Sequence, residues 1–506
     1  VKFSARRSAA AIGLAVAALL GGCTADRGAE PVASPSAQAP AELQRYSTQQ
    51  LDWQPCGDGA LCATLRVPKD YADPTAHGDF ELAVLKVPAT GERRGSLVVN
   101  PGGPGGSGAQ YAAAAPGIVT SQVLDAYDVV GFDPRGVGGS DPVDCLSDAE
   151  LDALIEGDPS PDDAAEVAQT LAAAERLGRG CQELSPDIAP WIDSKSVVRD
   201  MDVLRAALGE ERLDYLGKSY GTTLGALYAQ EFPERVGRFV LDGVLDPALT
   251  SEEVSLGQAR AFETALRRFL ADCLQQQDCP LAARTVDDGV AELQRFFDGL
   301  ESQPLPGGDG RDLTQALGIS AVLYYLYFPP GDWAQLRAGL ADAYAGDGST
   351  LVAMLDRRLQ RDPGGVYGDN SQEAFYAVTC LDRQPAADGD PAQRAQRFAD
   401  AAPVFGPALA WSDAVCSRWP QPPVGEPAAI TAAGAAPILV VSTQYDPATP
   451  YAWGAALAQR LESAALVSSN ADGHTGYRSG STCVDDAVDA YLLDGTVPAT
   501  DPRCGY

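Results

Sequence analysis

Histidine is nearly absent from this chain: 506 residues hold two, His77 and His474. Its ordinary pKa suits proton transfer near neutral pH, so any histidine-based chemistry has only these two positions. His77 lies in Asp73-Pro74-Thr75-Ala76-His77-Gly78-Asp79, a turn by composition, and reads as a solvated turn residue. Basic residues are also scarce, 37 against 69 acidic ones, for a net charge of −32. That excludes nucleic acid as a partner, because phosphate binding needs basic patches. The acidity serves solubility, or a potential that draws cationic ligands such as a free peptide amine. Bilayer-length apolar runs are missing too: Ala9 to Leu20 is too short to span. No cysteine pair has zinc-finger spacing with histidines beside it, so no metal site is expected. No internal repeat is evident.

What is present begins with a targeting segment. Lys2, Arg6 and Arg7 precede the apolar run, which ends in Leu20-Gly21-Gly22-Cys23. That tetrapeptide resembles a bacterial lipobox, which implies a signal peptide over 1–22 and lipidation at Cys23. An ordinary secretory signal cleaved nearby is the alternative. A multiply acylated terminus would anchor the protein to the outer face of the bacterial cell membrane. Residues 23–44 are rich in Ala, Pro, Ser and Glu and read as a flexible tether. Without Cys23, the eleven cysteines leave an even number in an exported protein, which reads as a disulfide framework. Sequence leaves about nine hundred pairings open. Spacing suggests the neighbours Cys56–Cys62, Cys145–Cys181, Cys273–Cys279, Cys380–Cys416 and Cys483–Cys504.

Strand-like and helical segments alternate over 45–250. Cys62 to Val67 and Phe80 to Val87 read as a strand pair. Ser96 to Asn100, Tyr127 to Phe132, Asp214 to Leu216 and Arg238 to Leu241 read as buried strands. Ala164 to Glu183 and Lys195 to Leu208 read as helices. This is the α/β class, with a mostly parallel sheet and helices on both faces. The alternation then stops. Over 251–430 the chain is mostly helical, with Phe262, Leu266, Phe269 and Leu270 at helical spacing. Strand character returns at Pro437 to Ser442, inside a final segment 431–506. A helical block between two parts of a sheet reads as an inserted cap. An independent helical domain is the alternative, but the returning strand and the late histidine favour insertion.

Three positions stand out chemically. Gly217-Lys218-Ser219-Tyr220-Gly221 follows an apolar strand and precedes a helical stretch from Thr222 to Phe232. That is the strand–turn–helix setting of a nucleophile elbow, with Ser219 as nucleophile and the Tyr220 N–H facing a developing oxyanion. The same residues mimic the end of a phosphate loop, but position 212 is Arg where that motif requires Gly. Asn100-Pro101-Gly102-Gly103-Pro104-Gly105-Gly106-Ser107-Gly108 also follows a strand. It contains a formal dinucleotide fingerprint from Gly103 to Gly108, for which Asp133 would be the ribose acid. Pro104 inside the supposed phosphate turn argues against that, as does export away from cytosolic cofactor. The better reading makes Gly103 N–H the second oxyanion donor. Asp446 follows an apolar strand and precedes Pro447-Ala448-Thr449-Pro450, where Thr449 is the expected helix N-cap. Ser219, Asp446, then His474 is the chain order of an α/β-hydrolase triad.

From about Trp53 to Tyr506 the chain resembles the tripeptidyl aminopeptidase family of secreted bacterial α/β-hydrolases, relatives of the proline iminopeptidases. The resemblance rests on the glycine-rich loop, on Gly131-Phe132-Asp133-Pro134-Arg135-Gly136-Val137-Gly138-Gly139-Ser140 and on the Ser219 elbow. It also rests on Leu241-Asp242-Gly243-Val244 and on the TAP-like C-terminal segment with Asp446 and His474. Position 101 is Pro where proline iminopeptidases have His, which suits the tripeptidyl branch. The resemblance implies Ser219 as nucleophile, Asp446 as acid and His474 as base. It implies an exported serine exopeptidase that releases short peptides, often three residues, from free N-termini without a cofactor. Glu252, Glu253 and Asp382 are candidates to hold the substrate amine. A lipase, an esterase or a proline-iminopeptidase-like hydrolase on the same fold is the alternative. A non-catalytic surface-binding lipoprotein is a third.

Overall fold

The computed structural model describes residues 41–308, 310–385 and 391–505. The expected signal peptide, Cys23 and nearly all of the tether lie outside them. The strands are β1 (Gln54–Gly57), β2 (Ala60–Pro68), β3 (Asp79–Val87), β4 (Gly95–Asn100), β5 (Tyr127–Phe132) and β6 (Leu213–Lys218). They continue with β7 (Val236–Asp242), β8 (Leu305–Pro306), β9 (Asp312–Leu313), β10 (Ile438–Tyr445) and β11 (Ala464–Asp472). Apart from the β8–β9 hairpin they form one nine-stranded sheet, ordered β1-β2-β3-β5-β4-β6-β7-β10-β11. The β1, β2 and β3 end is antiparallel, and every pairing from β5 to β11 is parallel.

Every residue of β4 and β5 is buried, as expected of strands covered on both faces. Successive side chains serve opposite cores. Val98 joins the layer with the helices Ser194–Ala207 and Tyr220–Glu231. Leu97 and Val99 join the layer with the helices Gly108–Ala113 and Thr482–Asp494. This is the α/β-hydrolase fold. Because β4, β6, β7, β10 and β11 are parallel, their C-terminal ends open at one edge, where such sheets place their ligands. Asn100, Lys218, Asp242, Tyr445 and Asp472 are the residues at those ends.

The sequence between β7 and β10 is dominated by helices, among them Ser251–Cys273, Val286–Ser302, Gln315–Tyr325 and Trp333–Tyr344. These pack around their own core, which contains Phe262, Leu266, Phe269, Leu270, Leu317 and Val322. The helix Ser371–Asp382 behaves differently. Its Ala374, Ala377, Val378 and Leu381 belong to the core beneath the sheet. Among the described residues no helix is long and apolar enough to cross a membrane.

Among the described residues the disulfides are Cys56–Cys62, Cys145–Cys181, Cys273–Cys279, Cys380–Cys416 and Cys483–Cys504, the pairs that spacing suggests. Two local expectations shift. The helix after Asp446 is Tyr451–Arg460, with Pro450 rather than Thr449 at its N-cap; the Thr449 hydroxyl bonds Asp446 instead. Strand β11 is not anticipated, because Ser468, Ser469 and Asn470 interrupt its apolar pattern at the sheet edge.

Helix Gly108–Ala113 lies so close to β5 that a Cβ on Gly131 would sit 1.8 Å from the Gly108 carbonyl oxygen. Backbone cannot yield as a side chain does. Gly131→Ala is expected to cost about 2 kcal/mol or more of stability, read as a lower urea midpoint.

Candidate active site

The chain reverses sharply where β6 ends. Ser219 has φ 55° and ψ −126°, a conformation that costs a non-glycine residue about 1–3 kcal/mol and persists only where neighbours impose it. Here Ser219 N–H donates to the Asp242 carbonyl at 3.0 Å. The Ser219 carbonyl accepts from Thr222 N–H at 2.9 Å and from the Thr222 hydroxyl at 2.6 Å. Both glycines of the motif are required by space. A Cβ on Gly217 would lie 2.5 Å from the Gly221 carbonyl, and one on Gly221 would lie 2.8 Å from Asn100 Oδ1. Tyr220 is the first residue of the helix Tyr220–Glu231, so its N–H has no partner within the helix.

The glycine-rich loop after β4 rests directly on this elbow. A Cβ on Gly102 would sit 2.6 Å from the Lys218 carbonyl, 2.9 Å from Ser219 Cβ and 3.0 Å from Tyr220 N. Gly102 N–H is already committed to Asn100 Oδ1 at 2.9 Å, and Gly103 is the next residue of the loop. Asp133 does not face a cofactor crevice. Its carboxylate accepts from Ser107 Oγ, Ala109 N–H and Gly139 N–H at 2.5–3.0 Å, fastening this loop to the one after β5. Arg135, fully buried, pairs with Asp200 on the helix Ser194–Ala207 at 2.6 Å. Among the described residues, no group of three or more His, Cys, Asp or Glu side chains is placed to hold a metal ion.

Asp446 lies just beyond β10 with its side chain buried. Both carboxylate oxygens lie 2.9 Å from His474 Nδ1. Oδ1 also accepts from Ala448 and Thr449 N–H, and Oδ2 from the Thr449 hydroxyl and Thr475 N–H, at 2.8–3.0 Å. A carboxylate so surrounded holds the imidazole with Nδ1 protonated and Nε2 free to accept a proton. His474 Nε2 is buried and has no hydrogen-bond partner among the described residues, so it is not bonded to Ser219 Oγ in this structure. Ser219, through its backbone, and the His474 ring border the same short stretch. Ser219 N–H bonds the Asp242 carbonyl, and a Cβ on the following Gly243 would lie 3.4 Å from His474 Cε1. Catalytic hydrogen bonds of this kind commonly tighten only when substrate binds. His77 is exposed, with its ring 4.8 Å from that of Trp191, and lies apart from this cluster.

Several residues that sequence reasoning missed hold the cluster together. Buried Asp242 accepts from Gly476 N–H at 2.7 Å and Tyr477 N–H at 3.0 Å. Lys218 Nζ stands 3.5 Å from its Oδ2 and donates to the Tyr477 carbonyl at 2.7 Å. Burial pushes the Asp242 carboxyl up, against the pull of Lys218. The signal was a lysine inside the elbow and an acid ending an apolar strand, but nothing in sequence pairs them. Tyr327, from the helical block, accepts His474 N–H at 2.8 Å and sets its ring edge-on to the imidazole at 5.1 Å. Arg268 pairs with Asp472 at 2.8 Å and covers the Tyr445 ring at 3.6 Å, clasping the two strand ends that carry Asp446 and His474.

The amine candidates separate. Glu253 closes a capping box with Thr250, and Glu252 pairs with Arg397. Asp382 accepts from Ser194 N–H at 2.8 Å and Ser194 Oγ at 2.5 Å, and the Ser194 hydroxyl meets that of Tyr220. Burial pushes the Asp382 carboxyl up to about 7.

The chain as a whole is similar to several known proteins. The family model described as TAP-like protein matches residues 402–504. Serine protease Hip1 of Mycobacterium tuberculosis is 37% identical over 480 residues, covering 90% of this chain and 91% of that one. Carboxylesterase B of the same organism is 38% identical over 454 residues, covering 88% and 86%. The tripeptidyl aminopeptidase of Streptomyces lividans is 34% identical over 482 residues, covering 91% and 87%.

Asp446→Asn would keep the volume but present an amide that no longer favours Nδ1 protonation. Hydrolysis is expected to fall by about 10⁴-fold in kcat, with an unaltered circular dichroism spectrum.

Proposed function

The chain belongs to the tripeptidyl aminopeptidase-like family of α/β-hydrolases, and from that premise we propose that it is an exported serine exopeptidase acting on free N-termini. One observation carries the reading. The histidine nearest the elbow has Nδ1 held by a buried carboxylate and Nε2 buried without a partner. In the reaction, His474 Nε2 takes the Ser219 hydroxyl proton as Oγ attacks the scissile carbonyl. Gly103 and Tyr220 N–H groups receive the oxyanion, each donor worth about 2.7–4 kcal/mol in the transition state. His474 then protonates the leaving amine, and water hydrolyses the acyl-enzyme by the same route in reverse. No cofactor takes part.

Within residues 251–430, the helices that pack around their own core act as the cap that closes the site against folded proteins, while helix Ser371–Asp382 belongs to the core beneath the sheet. Asp382 is the acid best placed to hold the substrate ammonium, because its hydrogen bonds come from the neutral Ser194 N–H and hydroxyl, whereas Glu252 is paired with Arg397 and Glu253 closes a capping box. It lies one tyrosine side chain and two hydrogen bonds from the elbow, and a tripeptide extends over about 10 Å. Five disulfides suit an oxidising compartment. Export with lipidation at Cys23 places the enzyme on the outer face of the cell membrane. The similarity to Carboxylesterase B favours a second reading, an esterase at the same site.

Ser219→Ala is expected to abolish turnover of an N-terminally free peptide anilide while the fold survives; retained hydrolysis would remove the serine mechanism. Acetylating the substrate amine should lower kcat/KM at least about tenfold, a loss of roughly 1.4 kcal/mol, whereas an esterase would show equal rates. Asp382→Asn should erase most of that ratio. The ratio also has a predictable pH course. With Asp193 and Arg383 as its charged neighbours, Asp382 ionises through about 7. The preference for the free amine therefore rises with pH through that value, then falls as the substrate α-amine deprotonates near about 8. A ratio flat in pH would separate Asp382 from the amine.

A further inference from the structure

Helix Ser371–Asp382 touches both sides of the proposed oxyanion hole. At its N-terminal end the Ser371 carbonyl lies 2.4 Å, and Phe375 N lies 3.1 Å, from where a Cβ on Gly105 would stand. The loop holding Gly103 therefore rests on helix backbone. At its C-terminal end Asp382 takes both hydrogen bonds of Ser194, whose hydroxyl is bonded to the Tyr220 hydroxyl. The helix itself is anchored. Asn370, just before it, bonds Gly136, Gly138 and Val143 backbone at 2.8–3.0 Å. Glu373 accepts from Cys145 and Leu146 N–H at 2.8 Å each. Cys380 is bridged to Cys416.

The chain from Asp382 to Tyr220 is buried at Ser194 and Tyr220, 3% and 6% exposed. Two hydroxyls and a carboxyl are a costly way to fill space, since a buried polar group must be fully bonded. Their bonds are directional, however, and phenylalanine packing is not. A tyrosine ring fixed at its hydroxyl is fixed at its Cα as well, and with it the backbone N–H of the residue that follows Ser219. An oxyanion donor works only when it is held where charge will develop.

We propose that Ser194 and the Tyr220 hydroxyl are positioning residues that, with Asp382, fix the Tyr220 N–H as an oxyanion donor and tie it to the helix supporting the Gly103 loop. This rests on the serine mechanism proposed above. It adds that occupancy at Asp382 by a substrate ammonium bears on the chemical step as well as on binding. No atom is exchanged along the chain; its hydroxyls keep their protons and act by placement.

Tyr220→Phe tests this, because it keeps the ring, the backbone N–H and Asp382. On a free-amine peptide, kcat should fall about tenfold while KM changes by less than about twofold. A peptidyl trifluoromethyl ketone, whose hemiketal oxyanion occupies the same donors, should lose affinity by the same factor. The product peptide should bind as before. Ser194→Ala, which cuts the chain elsewhere, should reproduce the pattern and serves if Tyr220→Phe does not fold. Wild-type kcat and ketone affinity in either folded variant would overturn the proposal. So would a fall in kcat without the matching loss of ketone affinity, which would make the contact merely structural. A wild-type enzyme with no affinity for the ketone would overturn the serine mechanism itself, and the proposal with it.

Discussion

The site depends on one buried carboxylate. Asp446 is out of water and survives there because every bond it needs is supplied locally: Ala448, Thr449 and Thr475 N–H, the Thr449 hydroxyl and His474 Nδ1. An unpaired charge in that position would be strongly destabilising. The same bonds orient the imidazole and leave Nε2 without a partner. Thr449 shows how tightly the loop is drawn. It surrenders the cap of the next helix to Pro450 and spends its hydroxyl on Asp446.

A second buried pair keeps the parts in register. Lys218 and Asp242 sit at the ends of adjacent strands, and both bond the segment that follows His474. Lys218, the residue before Ser219, thus holds the loop that follows His474. The helical block reaches the same edge from outside, through the Tyr327 carbonyl on His474 N–H and through Arg268 on Asp472. It supplies part of the frame that holds the site, and helix Ser371–Asp382 belongs to the sheet's own core.

Much was legible in the sequence because it depends on local pattern. The strands β4, β5, β6 and β7 are short apolar runs bounded by glycine, proline or aspartate, and the physics that makes them strands acts within each run. The disulfides followed spacing because each joins cysteines close in the chain. The elbow announced itself through glycines that the close approach of Gly217 to Gly221 makes obligatory. Strand β11 was hidden because an edge strand with serines and asparagine carries no continuous apolar signal.

What the sequence determined alone was the class of fold, the chain order of the candidates Ser219, Asp446 and His474, and the scarcity of histidine that left one candidate base beside an elbow and an acid. What only the tertiary structure decided was which acids are spoken for. Glu252, Glu253 and Asp382 look alike in sequence, yet one pairs with Arg397, one caps its own helix and one bonds Ser194, whose hydroxyl meets that of Tyr220. The physical reason is that hydrogen bonds and ion pairs depend on distance in space. Asp446 and His474, Lys218 and Asp242, and Asp382 and Ser194 become neighbours only when parallel strands bring their ends to one edge.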